Sequence, residues 1–142
     1  MGYSLIGDIQ AEIDKLEDCS FLPDQDGRGL ILKLAEKFSF DLDQRWIWDS
    51  NRSGEIYDYN NGPDRWKTVF RELLSRFSDR IFLVVSDDEF YPWKALQCKR
   101  DDCINLLSEL PSFEYFIFDE FMKTVVFDTH HNCLVIFEPV TF

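Results

Sequence analysis

The stretch from Glu114 to Phe137 limits the fold more than any other part of the chain. It reads as three short strands, Tyr115–Phe118, Thr124–Phe127 and Leu134–Phe137, because β-branched and aromatic side chains suit a pleated backbone. Asp119–Lys123 and Asp128–Asn132 supply the turns. Both connections are too short for a crossover helix, so the strands are expected to run antiparallel as a meander. Alternation places Phe116 and Phe118 on one side and Tyr115 and Ile117 on the other. Both faces are therefore apolar, and each needs a cover.

The earlier chain offers the covers. Leu5, Ile6, Ile9, Ile13 and Leu16 recur at helical spacing, with Asp8, Glu12, Asp14 and Glu17 between them. That pattern is an amphipathic helix with a solvated acidic face. Residues 19–27 read as a loop, and a second helix is expected from about Gly29 to Phe38, paired antiparallel with the first against the sheet. Gln44–Asp49 alternates like a strand, residues 50–54 have turn chemistry, and Glu55–Tyr59 reads as the return strand of a hairpin. Pro63 suits the first turn of a third helix. Trp66, Val69, Phe70, Leu73, Leu74 and Phe77 then mark one face of it. Arg80–Ser86 is a continuous apolar run between polar ends, read as a buried central strand. Pro92–Cys98 reads as a short strand. Asp101 or Asp102 is placed to cap a short helix that runs through Leu110 to Pro111.

The expected architecture is α+β: a single domain over residues 1–142, with a mostly antiparallel sheet, a C-terminal three-strand meander and about four packing helices. Fourteen Phe and four Trp are enough to fill such a core. No segment reads as a signal peptide or a bilayer span, so a cytoplasmic protein with reduced thiols is expected. The four cysteines, at positions 19, 98, 103 and 133, contain no Cys-x-x-Cys pair. Spacing leaves a Cys98–Cys103 bridge open.

Charge narrows the partners. A net charge of −12 disfavours direct nucleic-acid binding, which depends on Lys and Arg neutralising phosphates. It suits a basic protein partner, since complementary potentials speed encounter and suppress wrong pairings. Acidity for solubility alone is the plainer alternative.

Several clusters carry candidate chemistry. Asp128, His130, His131 and Cys133 are metal-ligating types within six residues. Adjacent histidines on an extended chain point to opposite sides, so a turn that satisfies its own backbone is the preferred account, and neither a metal nor another cofactor is expected. Asp87, Asp88 and Glu89 follow the buried strand, where carboxylates could hold a divalent cation or face a partner; the charged loop is preferred. Trp46, Trp48, Tyr57 and Tyr59 enrich the hairpin in aromatics, which serve equally as core or as interface anchors. No nucleophile elbow, phosphate-binding loop or His-Glu-x-x-His is present, so no enzymatic activity is expected.

Three segments carry a resemblance: Trp46-Ile-Trp48-Asp49; Phe82-Leu-Val-Val-Ser-Asp-Asp88-Glu89; and Tyr115-Phe-Ile117 with Asp128-Thr-His-His-Asn132. From Arg45 onward the chain resembles the small cytoplasmic immunity proteins of bacterial polymorphic-toxin and contact-dependent growth-inhibition systems. It departs from the family pattern in having aspartate ahead of the histidine pair, where many relatives carry glutamate. The resemblance implies a non-catalytic binder that neutralises a cognate toxin domain, with a basic nuclease groove as one target that an acidic inhibitor can occupy. The family supplies no shared catalytic residues. The contacts expected on charge and exposure are Asp58, Tyr59, Asp87, Asp88 and Glu89, with Asp119 and Glu120 as further candidates. Neither nucleic acid nor membrane is expected as a direct partner. Two other readings stand beside this one: a small metal-binding enzyme or sensor on the Asp128–Cys133 turn, and a non-catalytic adaptor.

Overall fold

The computed structural model describes residues 5–43, 54–58, 63–85, 93–110, 114–129 and 133–138. In chain order its elements are α1 (Leu5–Ile13), β1 (Ser20–Phe21), α2 (Asp24–Phe38), β2 (Glu55–Asp58), α3 (Pro63–Leu74), β3 (Arg80–Val85), β4 (Lys94–Lys99), α4 (Arg100–Ser108), β5 (Tyr115–Asp119), β6 (Val125–Asp128) and β7 (Cys133–Phe137). The strands form one sheet in the order β1-β4-β3-β5-β6-β7-β2. Every neighbouring pair is antiparallel. The fold is α+β, and the C-terminal meander runs as β5-β6-β7.

Side-chain alternation divides the core into two layers. Tyr115 and Ile117 of β5 join Ile81, Leu83 and Val85 of β3 on one face. There α1 contributes Ile9 and Ile13, α3 contributes Val69, Phe70, Leu73 and Leu74, and α4 contributes Cys103, Ile104, Leu106 and Leu107. Phe116 and Phe118 face the other way, with Val84, Ala95, Val125, Phe127, Val135 and Phe137. Helix α2 covers that side through Ile31, Leu34, Ala35 and Phe38. The first two helices thus lie on opposite faces of the sheet and do not form the expected pair.

Helix α2 also starts earlier than its apolar spacing suggested. It begins at Asp24, behind Pro23, and has Asp24 and Asp26 in its first turn, where carboxylates meet the positive end of the helix dipole. Gly27 makes a close approach possible. A Cβ placed there would lie 3.3 Å from the Ala95 Cβ on β4. The helix ends at Ser39, which takes left-handed torsions (φ 58°, ψ 41°). The Phe40 N–H then returns to the Ala35 carbonyl at 2.9 Å, in the manner of a Schellman turn. This turn folds Phe40 back onto the sheet. Its ring stacks on Phe38 and meets Phe127 and Phe137 edge-on, at centroid distances of 5.4 and 5.0 Å.

Helix α3 follows its sequence pattern as far as Leu74, where it ends, and Phe77 is buried in the turn beyond it. Val69, Phe70, Leu73 and Leu74 are buried, while Lys67, Thr68, Arg71 and Glu72 are exposed. Helix α4 differs at its start. Lys99 occupies the cap position without a side-chain cap bond, and Asp101 and Asp102 fall in the first turn. The sequence-stretch 19–27, expected to be all loop, contains β1, a strand of two residues held against β4. The Gln44–Asp49 arm of the expected hairpin lies outside the described residues, and β2 pairs with β7. Among the described residues no helix is long and apolar enough to cross a membrane.

Two glycines give opposite predictions. A Cβ at Gly54 would come within 2.5 Å of Val135 Cγ1 and 2.8 Å of the Phe137 ring. Gly54→Ala is expected to destabilise the fold by about 1–3 kcal/mol through overpacking. At Gly29, inside α2, nothing lies within 4 Å of an added Cβ. Gly29→Ala is expected to stabilise by about 0.5–1 kcal/mol through lost unfolded-state entropy. Urea unfolding of the two variants reads both signs.

Candidate interaction surface

Antiparallel pairing brings the ends of most strands together at one end of the sheet. The register pairs Val84 with Phe116, Tyr115 with Asp128, Asp128 with Leu134, and Asp58 with Cys133. The C-terminal ends of β2, β3 and β6 therefore lie beside the N-terminal ends of β5 and β7. Val85 pairs with Lys94, so β4 also begins there. Tyr59, Asp87, Asp88 and Glu89 lie outside the described residues, as do His130 and His131. The described residues flanking these positions, Asp58, Val85, Thr129 and Cys133, all belong to this end.

The described part of this end is polar and tightly bonded. Asp128 and Thr129 are buried, as is Glu114 just before β5. Trp66 of α3 donates its indole N–H to Asp128 Oδ2 at 3.1 Å. The same indole stacks on Phe70, whose ring meets Tyr115 edge-on. One aromatic chain thus links α3 to β5, while its leading residue supports a buried carboxylate. A buried polar group is costly unless it is hydrogen-bonded, and the indole supplies such a bond. Thr129 closes the turn after β6, donating both its N–H (3.0 Å) and its Oγ1–H (3.1 Å) to the Cys133 carbonyl. The Asp128–Cys133 segment is therefore braced by its own hydrogen bonds at both described ends. Among the described residues no group of three or more His, Cys, Asp or Glu is arranged to hold a metal ion.

Asp119 and Glu120 belong to the opposite end of the sheet. Asp119 is only 5% exposed, whereas an exposed contact was expected. Its Oδ2 accepts the Ser78 N–H at 2.9 Å and its Oδ1 accepts the Phe121 N–H at 3.1 Å. It joins the entry to β3 to the β5–β6 turn, and so serves structure rather than the surface. Glu120 is exposed, beside Phe121, which is 57% exposed. Met122 completes this turn with a positive φ of 50°.

The negative charge is spread over both helical layers. Asp8, Asp14 and Glu17 are exposed in and after α1, and Asp26, Glu36, Asp41 and Asp43 are exposed in and after α2. Several cations are already engaged: Arg76 with Glu138 (2.6 Å), Lys94 with Asp24 (3.3 Å), Lys99 with Asp18 (3.6 Å), and Arg100 with both Asp79 and Asp101. Exposed pairs of this kind contribute between about 0 and 1 kcal/mol each. The acidic field around the molecule comes from the excess of 27 Asp and Glu over 15 Lys and Arg. Among the described residues that field is not confined to one end of the sheet. On β2, Ile56 is 66% exposed two residues before Asp58.

No family model matches this chain, and no curated protein matches it.

The bonding of Asp119 generates a direct prediction. Asp119→Ala removes the acceptor for two backbone N–H groups and is expected to cost about 1–3 kcal/mol in unfolding free energy. Glu120→Ala, one residue away and exposed, is expected to stay within about 0.5 kcal/mol of the parent. Denaturant titration of both variants checks the contrast.

Proposed function

We propose that this chain is an immunity protein that binds a basic cognate toxin domain in the cytoplasm and neutralises it without catalysis. The observation that carries this reading is the convergence of strand ends: Asp58 and the residues flanking Tyr59 and Asp87–Glu89 share one end of the sheet. These segments include positions that resemble the immunity-protein pattern. The net charge of −12 supports a partner of opposite sign. A basic active-site groove, such as that of a nuclease, is the natural target, because carboxylates can replace the phosphates it binds.

The physical logic is kinetic as well as energetic. A free toxin inside the cell must be captured quickly, and long-range attraction between opposite charges raises association rates by orders of magnitude. The exposed carboxylates on both layers supply that field. Ile56, exposed on β2, supplies apolar contact that slows dissociation. Asp119 takes no part in this surface.

The decisive experiment pairs growth rescue with co-purification. The toxin domain encoded beside this gene is induced in cells with and without this protein. Rescue accompanied by a stable one-to-one complex is the expected result. Absence of both, with active toxin and folded protein, removes the proposal for that pair. Within a complex, joint reversal of Asp58, Asp87, Asp88 and Glu89 to Lys is expected to weaken binding by at least about tenfold, mostly through slower association at low salt. Glu120→Lys at the other end of the sheet serves as the control. Equal affinities for the two variants would place the contact elsewhere.

A further inference from the structure

Three of the four cysteines meet in the core. Cys19, Cys98 and Cys103 are buried in the layer formed by α1, α3 and α4. Cys19 precedes β1, Cys98 lies in β4, and Cys103 lies in the first half of α4. The first two are separated by most of the chain yet stand opposite one another. Ser20 pairs with Gln97 and Phe21 with Leu96. The same register continues past Phe21, and ahead of Cys19 the chain turns at Asp18, which has a φ of 57°. Leu22 donates its N–H to the Ala95 carbonyl at 2.9 Å, and Asp18 forms an ion pair with Lys99 at 3.6 Å. Cys19 and Cys98 are the positions that adjoin the Ser20–Gln97 pair, and a side-chain hydrogen bond joins the two thiols.

The hydrogen-bond pattern fixes the geometry of this pair. Antiparallel ladders alternate between hydrogen-bonded and non-hydrogen-bonded positions. With Leu22 and Ala95 bonded, Cys19 and Cys98 fall at a non-hydrogen-bonded position, where opposed Cα atoms are about 4.5 Å apart and side chains lie closest. Disulfides need Cα separations of about 4.4–6.8 Å. Both side chains point into the same layer.

We propose that Cys19 and Cys98 form a reversible cross-strand disulfide that clamps the two-residue strand β1 to β4. The oxidant is a low-molecular-weight disulfide. The Cys19 thiolate attacks one sulfur of it, forming a mixed disulfide and releasing one small thiol. The Cys98 thiolate then attacks the Cys19 sulfur and releases the second. Two protein thiols are oxidised, and one small disulfide is reduced to two thiols. Cys19 is the entry point because it is 9% exposed and Cys98 is fully buried. In the closed protein the step is slow. A hydrogen bond with Cys98, and then burial, hold the Cys19 thiol well above the ordinary thiol range, and only the thiolate reacts. Opening of the short strand β1 therefore gates the chemistry. The clamp is independent of the immunity reading.

The test uses the full chain with glutathione disulfide as the probe, at mildly alkaline pH, with and without urea below the unfolding transition. Free thiols are alkylated and counted by mass spectrometry, and crosslinked peptides are mapped. The expected result is a fall from four free thiols to two, a single crosslink joining Cys19 to Cys98, faster formation in urea, and full reversal by a reductant. Cys103→Ser and Cys133→Ser keep the crosslink, and Cys19→Ser abolishes it. Four thiols that stay free throughout would overturn the clamp. So would a crosslink mapped to Cys98–Cys103, or one that joins two molecules through Cys133. Mapping on the unmodified chain settles the matter even where a variant fails to fold.

Discussion

A strand with apolar side chains on both faces cannot be stable with only one covered, and β5 is such a strand. Tyr115 and Ile117 require one layer, Phe116 and Phe118 another. The rest of the chain is arranged to meet this demand. Helices α1, α3 and α4 bury the first face, and α2 with the turn after it buries the second. Among the described residues the second cover is the thinner one, a single helix. Its extension through Ser39 is therefore structural: the left-handed residue brings Phe40 under the meander, where it meets Phe127 and Phe137. Aromatic pairs in such edge-to-face contact add about 0.5–1.5 kcal/mol beyond area burial. A helix that simply ended at Phe38 would leave the far side of β6 and β7 without this ring.

What the sequence made legible was whatever local periodicity encodes. The stripe on α3, the run Ile81–Val85 and the alternation of β5 each depend on residues a few positions apart, and each was placed on its proper element. The start of α2 was hidden because Gly27 and Gly29 interrupt the apolar pattern. Gly27 is there because the helix axis lies against Ala95, a contact across the fold that no local signal carries. The two-residue β1 exists only through its pairing with β4. The partition of α1 and α2 between faces was missed for a related reason: an amphipathic stripe states that a helix has a buried side, and says nothing about which side of the sheet it meets.

The candidate surface divided along the same line. Asp58 and Asp87–Glu89 were chosen for charge; sheet register places Asp58 and Val85, the last described residue before Asp87, at one end, a result of pairing that their positions in the chain could not reveal. Asp119 was chosen on the same ground and proved to be internal. An aspartate in a turn is as well suited to accept backbone N–H groups as to meet a partner, and here Ser78, far away in sequence, decides between them. Trp66 shows the converse. Its place in an apolar stripe concealed the indole N–H that supports Asp128 across 62 residues.

The two outer strands of the described sheet therefore carry different burdens. Strand β1 is short, and its attachment rests on a few contacts: the Leu22–Ala95 hydrogen bond, the Asp18–Lys99 ion pair and the opposed cysteines. Strand β2 is fixed by four paired positions on β7 and by the close seat of Gly54 on Val135 and Phe137. Five strands separate these edges. Changes at sites so far apart, with no shared partners, act nearly independently on stability. A covalent closure at β1 can therefore strengthen the weaker edge without altering the end of the sheet where β2, β6 and β7 present their polar residues. Edge strands that are left open invite pairing with other chains, so a short strand held by side chains is a safer terminus than a longer one held by its backbone alone.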